Sequence, residues 1–122
     1  MQRKGTCMEI IATAHVREAI SRLGRTEDIR FSPDNSRVAI ASYGGDACFL
    51  FDIEVDRSAC APIIRITDYL EIRSTALRKP HGLDFIGERL LVVANRAGGG
   101  LNYSRSRNAT QESGFIRPNP ST

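Results

Sequence analysis

The residues able to do chemistry in this 122-residue chain are few, and the most suggestive of them lie in KPHGLDFIGERLLVVANR, residues 79–96. His81 occupies a Pro-His-Gly turn ahead of two short apolar runs, a position from which an imidazole could serve as a general base or simply cap a backbone carbonyl. Asp84 alternates to the face opposite Leu83 and Phe85, and Asn95 and Arg96 close the second run. These three are the candidates for binding a ligand beside His81. Elsewhere the signals are weaker. Asp46, Asp52, Glu54 and Asp56 lack the regular spacing and bend glycine of a calcium loop, so they read as the solvated end of a strand. Ala97-Gly-Gly-Gly100 is followed by no Lys-Ser/Thr and no helical run, and reads as a turn rather than a phosphate loop. Two glycosylation patterns, at Asn102 and Asn108, are attributed to chance.

Cys7, Cys48 and Cys60 are odd in number and widely spaced, with no CxxC pair, so no metal site is expected and reduced thiols in a cytoplasmic setting are the simpler reading. Cys48 falls in an apolar run, 47–51, where it can act as a small core residue. Glu9 interrupts what would be the apolar centre of a signal peptide, and no apolar run approaches a membrane span. The net charge is +3, of which residues 101–122 carry +2. A body so close to neutral, with scattered cations and no interleaved aromatics, excludes nucleic acid as a partner.

The elements that must position these residues follow from an internal repeat. Sliding the chain by 54 residues lays 10–31 over 64–85, with Ile10 on Ile64, Thr13 on Thr67, Leu23 on Leu77 and Phe31 on Phe85. Beyond a shorter turn the offset becomes 52, setting RVAIA (37–41) over RLLVV (89–93), and it then returns to 54 at the glycine pairs 44–45 and 98–99. Periods of this length belong to arrays and propellers. Within each unit, short strands alternate with tight turns. Residues 28–31 form a strand, Ser32-Pro33-Asp34-Asn35 a hairpin turn, 38–42 a strand covered on both faces, and 47–53 and 62–67 the third and fourth strands. The second copy repeats the first three steps at 83–85, 90–95 and, weakly, 101–103. Residues 9–13 match 63–67, so they are expected to end a preceding unit, and one or two helical turns fit both 15–23 and 69–77.

FSPDNSRVAIAS followed by a glycine turn and FLFDI resembles a blade of a β-propeller of the WD-repeat, NHL or lactonase-like kind. Residues 79–96 resemble the PHG-turn segment of the paraoxonase-like, six-bladed, calcium-dependent esterases and lactonases. That resemblance implies a histidine dyad above a central calcium, with His81 as one member. The position of the second histidine is Arg96 here, and the family's calcium ligands would come from blades this chain does not contain. The repeat places Glu27 at the position of His81 in the neighbouring unit, so a carboxylate beside the channel mouth could orient or charge the imidazole.

The expected fold is all-β: a partial propeller of about one complete four-stranded antiparallel blade with parts of two neighbours. Residues 1–24 would end a preceding blade and connect it onward, 25–78 form the first blade and its connection, 79–104 a partial second blade, and 105–122 a polar, disordered tail. The chain reads as a piece of a larger ring, and strands 38–41 and 90–93 are expected to lack the neighbours a ring supplies. The function expected is a scaffold role, or a role in binding a small molecule or protein, without independent catalysis. Self-association or a protein partner is expected. The alternative is part of a lactonase-like hydrolase using His81, with Glu27 beside it and calcium in the full propeller.

Overall fold

The computed structural model describes residues 7–58 and 60–97, together with the backbone of strands 101–107 and 110–116. Among the described residues the chain is mostly β, in two sheets with one short helix. In chain order the elements are β1 (Glu9–Ala12), α1 (Ala14–Ser21), β2 (Thr26–Phe31), β3 (Arg37–Ser42), β4 (Ala47–Asp56), β5 (Ile63–Arg73), β6 (Pro80–Ile86), β7 (Leu90–Asn95), β8 (Leu101–Arg107) and β9 (Thr110–Ile116). The first sheet has the order β1-β5-β4-β3-β2 and the second β6-β7-β8-β9.

Local chemistry accounts for the turns. In the β2–β3 hairpin the Asp34 carboxylate accepts from the Ser36 amide and from the hydroxyls of Ser36 and Ser32, while Asn35 takes the left-handed conformation (φ 60°) that its short polar side chain tolerates. Those hydrogen bonds hold the Asp34 carboxyl well below the usual carboxylate range. After Ser42 the chain turns through Tyr43–Asp46. A Cβ at Gly45 would lie 2.8 Å from the Ser42 hydroxyl, which is itself buried and donates to the Leu23 carbonyl.

Strand β3 is covered on both faces, as its continuous apolar run predicts. One face packs against the second sheet: Ala39, Ala41, Cys48, Leu50 and Ile72 meet Leu83, Leu91 and Val93. Cys48 is a core residue there, and burial pushes its thiol up to about 12. The other face is covered by Val16 and Ala19 of α1 and by Leu23 beyond it, against Val38, Ala47, Phe49 and Phe51. Phe49 and Phe51 stack at 6.0 Å, with Tyr69 tilted against both. An eight-residue helix is marginal alone, so this packing is what holds α1 in place.

Several expectations are corrected. β1 does not end a separate blade: it joins the first sheet as a parallel edge strand, with Glu9–Ala12 opposite Ile63–Ile66. The 54-residue repeat thus appears as a hydrogen-bonded pairing of its two copies. Residues 69–73 are extended and only 14–21 are helical, because Tyr69–Arg73 complete a ladder with Ala47–Phe51 that a helix would forfeit. The strands β3 and β7 are paired on both sides rather than lying at edges; the edges are β1, β2, β6 and β9. The tail expected from residue 105 is strand over 105–107 and 110–116, since backbone pairing with β8 satisfies β9 without demanding an apolar sequence. Residues 117–122, the glycines 98–100 and Asn108 lie outside the described residues.

The repeat also changes register. Phe31 pairs with Val38 and Ile29 with Ile40, whereas Phe85 pairs with Leu91 and Leu83 with Val93. Val38 therefore corresponds to Leu91, an offset of 53 rather than 52. A one-residue slip exchanges the two faces of a strand. The corrected register puts the larger apolar residues of both copies on equivalent faces.

Candidate functional site

The two sheets meet along their first strands, β2 and β6. Asp28 joins them: its Oδ1 accepts from the Ile29 amide at 2.9 Å and its Oδ2 from the Leu83 amide at 3.1 Å. Ile29 and Leu83 are equivalent in the repeat, so one carboxylate bridges equivalent amides of the two copies. Arg30 lies 3.4 Å from the same Oδ2. Sequence reasoning passed over Asp28 because nothing in a TEDIRF strand distinguishes an outward carboxylate from a bridging one.

The expected site residues are placed as follows. His81 is the second residue of β6 and is exposed, and Glu27 is half-buried on β2 with Oε1 2.7 Å from the Arg25 guanidinium. No hydrogen bond or ion pair joins His81 to Glu27 among the described residues. Asp84 is exposed and accepts from the Phe85 amide at 2.8 Å. Asn95 is engaged in structure: its Oδ1 accepts from the Arg78 amide at 3.0 Å and its Nδ2 donates to the Ala76 carbonyl at 2.8 Å. The amide of Arg96 donates to the Lys79 carbonyl, and its side chain is exposed. Asn95 and Arg96 thus fasten the 76–79 connection.

That fastening builds a groove at the sheet end where β6 begins. Its volume is about 780 Å³, and it is lined by Asp46, Arg73, Ser74, Thr75, Leu77, Arg78, Lys79 and Ala97. The Asp46 carboxylate accepts from the Lys79 amide at 2.7 Å, and both residues have left-handed backbones, φ 50° and 49°. For residues other than glycine such conformations cost on the order of 1–3 kcal/mol each and persist only where their surroundings hold them. Tyr43 takes a cation on its ring from each copy of the repeat, Arg25 at 4.6 Å and Lys79 at 5.8 Å. On the outer side of this end, Glu71 pairs with both Arg22 and Arg73, which hold its carboxyl below the usual range.

A second arrangement has the order of a hydrolytic triad. Thr13 Oγ1 lies 2.9 Å from His15 Nδ1, and His15 Nε2 lies 3.3 Å from Asp68 Oδ1. His15 and Asp68 are more than half exposed and Thr13 is exposed, so water is not excluded from it. It clasps the start of α1 to β5. Among the described residues no group of three or more His, Cys, Asp or Glu could hold a metal ion, and no helix is long and apolar enough to cross a membrane.

No family model, curated protein or solved structure matches the chain.

Proposed function

We propose that the two sheets are consecutive blade-like units of a propeller-type scaffold, and that the chain works by binding, through association with a second copy of itself, without independent catalysis. One observation carries this reading. Ile29 and Phe31 on β2 are 55% and 54% exposed, whereas their repeat equivalents on β6, Leu83 and Phe85, pack against Ala39, Ala41 and Leu50 of the first sheet. The face that receives them has its own equivalent on the second sheet, because Val92 and Ala94 correspond to Ala39 and Ala41. Both halves of a further sheet-to-sheet contact are therefore present on one chain. Such a contact is head-to-tail and can continue from copy to copy or close into a ring. Helix α1 covers the Phe49 and Phe51 end of the face that carries Ile29 and Phe31, so a partner sheet meets that face on the β2 side.

Size-exclusion chromatography with light scattering, with and without calcium, tests the proposal. Concentration-dependent association is expected, with Phe31→Asp monomeric and unchanged in circular dichroism; a chain monomeric at every concentration overturns it. The hydrolase reading, with His81 as a base and calcium in a completed channel, stands second because His81 is the second residue of β6, at the sheet end that carries the groove. Ester or lactone hydrolysis that disappears in His81→Gln would favour it.

A further inference from the structure

The groove at the 74–79 connection is lined by residues of one chain and has no part in the association proposed above. Its lining sets three cations, Arg73, Arg78 and Lys79, and the hydroxyl residues Ser74 and Thr75 against the single carboxylate of Asp46. That carboxylate is already committed through Oδ1 to the Lys79 amide. The Arg73 guanidinium is fixed by the Gly45 carbonyl at 3.3 Å and by Glu71. The Arg78 side chain, by contrast, has no hydrogen bond or ion pair among the described residues. Its backbone is nevertheless anchored, by Asn95 to its amide and by the Ala97 amide to its carbonyl. The cations thus stand on a connection held by side chains of two other segments, with strained backbone at Asp46 and Lys79 where it is held. With Arg73 paired to Glu71, Arg78 and Lys79 face the single carboxylate of Asp46, and this excess of positive charge along a groove is the electrostatic footprint of an anion site.

We propose that this groove binds the phosphate group of a phosphorylated small molecule. A phosphate monoester carries close to two negative charges at neutral pH and three acceptor oxygens. Arg78 supplies a planar fork for two of those oxygens and Lys79 a point charge, with the hydroxyls of Ser74 and Thr75 as neutral donors. A volume of about 780 Å³ is in the range of small-molecule sites and leaves room for more than the phosphate itself.

Calorimetric titration of the full chain with glycerol 3-phosphate at low ionic strength tests this, with inorganic phosphate, glycerol and citrate as comparison ligands. Measurement in both the unaltered chain and Phe31→Asp reads binding separately from association. Saturable one-to-one binding of glycerol 3-phosphate is expected, tighter than that of inorganic phosphate or citrate and absent for glycerol. Arg78→Gln and Lys79→Gln should each weaken it about tenfold, the loss of one charge-assisted contact. Arg57→Gln, an exposed cation remote from the groove, should leave it unchanged. Absence of saturable binding, equal affinity for inorganic phosphate or citrate, or unchanged affinity in both Arg78→Gln and Lys79→Gln overturns the proposal.

Discussion

Leu83 and Phe85 in the second sheet and Ile29 and Phe31 in the first occupy equivalent positions of the same repeat, yet only the first pair is covered. Both pairs lie on a first strand, opposite residues of the adjoining strand at matching register. What differs is the neighbour. Leu83 is 5% exposed because Ala39, Ala41 and Cys48 provide a flat, small-residue surface for it, while among the described residues the face that carries Ile29 is covered by α1, displaced towards β4 and β5. Apolar surface of this kind contributes stability only when another sheet removes it from water. The same side-chain chemistry is therefore core in one copy and interface in the other.

The comparison can be broken most directly at its two ends. Leu83→Ala should destabilise the chain by about 2–5 kcal/mol in denaturant unfolding, the cost of a cavity in a packed core. Its equivalent Ile29→Ala should cost the dilute monomer less than about 1 kcal/mol, and comparable losses for the two would mean that the first sheet is covered as well as the second. Next in size is Asp28→Ala, which leaves the buried end of the inter-sheet bond without an acceptor for the Leu83 amide. A loss of about 1–3 kcal/mol is expected, together with faster hydrogen exchange at that amide. Cys48 supplies a probe of the same interface. With its thiol pushed up to about 12 and its side chain buried, it should resist a thiol reagent at pH 8 until the sheets separate, while exposed Cys7 and Cys60 react at once. Leu83→Ala should make Cys48 react faster, and Ile29→Ala should not.

The smallest effect is with pH. The carboxyls of Glu71, Asp34, Asp56 and Asp68 are all depressed in the fold, Glu71 chiefly by Arg73 and then Arg22. A group whose pKa is lower folded than unfolded stabilises the fold above its unfolded value and loses that contribution as pH falls through the folded one. Stability should therefore decline below about pH 4.5, the ordinary value for a glutamate, and the decline should be shallower in Glu71→Gln. Asp52, raised by burial, acts in the opposite direction and should moderate the slope.

Much of the strand pattern was legible in the sequence because it rests on local rules. Alternation in residues 28–31, the Pro-Asp-Asn turn and the apolar run of β3 act over a few residues and do not depend on distant partners. The boundaries of β7 were likewise readable, between the 86–88 turn and Asn95. The strand register was not, since an offset of 52 or 53 aligns similar apolar residues and only the ladder opposite Phe85 separates them. The candidate groove was equally hidden. Arg73, Arg78 and Lys79 are three ordinary surface cations in sequence, and they form a surface only because Asp46, some 30 residues earlier, and Asn95, well after, fasten their connection.

By itself, then, the sequence determined the β character of the chain, its repeat, its turns and the burial of Cys48, because hydrophobic period and turn chemistry are properties of neighbouring residues. The tertiary structure decided that β1 pairs in parallel with its own repeat, that Asp28 bridges the two sheets, that Asn95 braces a connection, and that three cations share one groove. Each of these depends on a hydrogen bond or a contact between residues far apart in the chain, and such a partner is chosen by the packing of whole sheets.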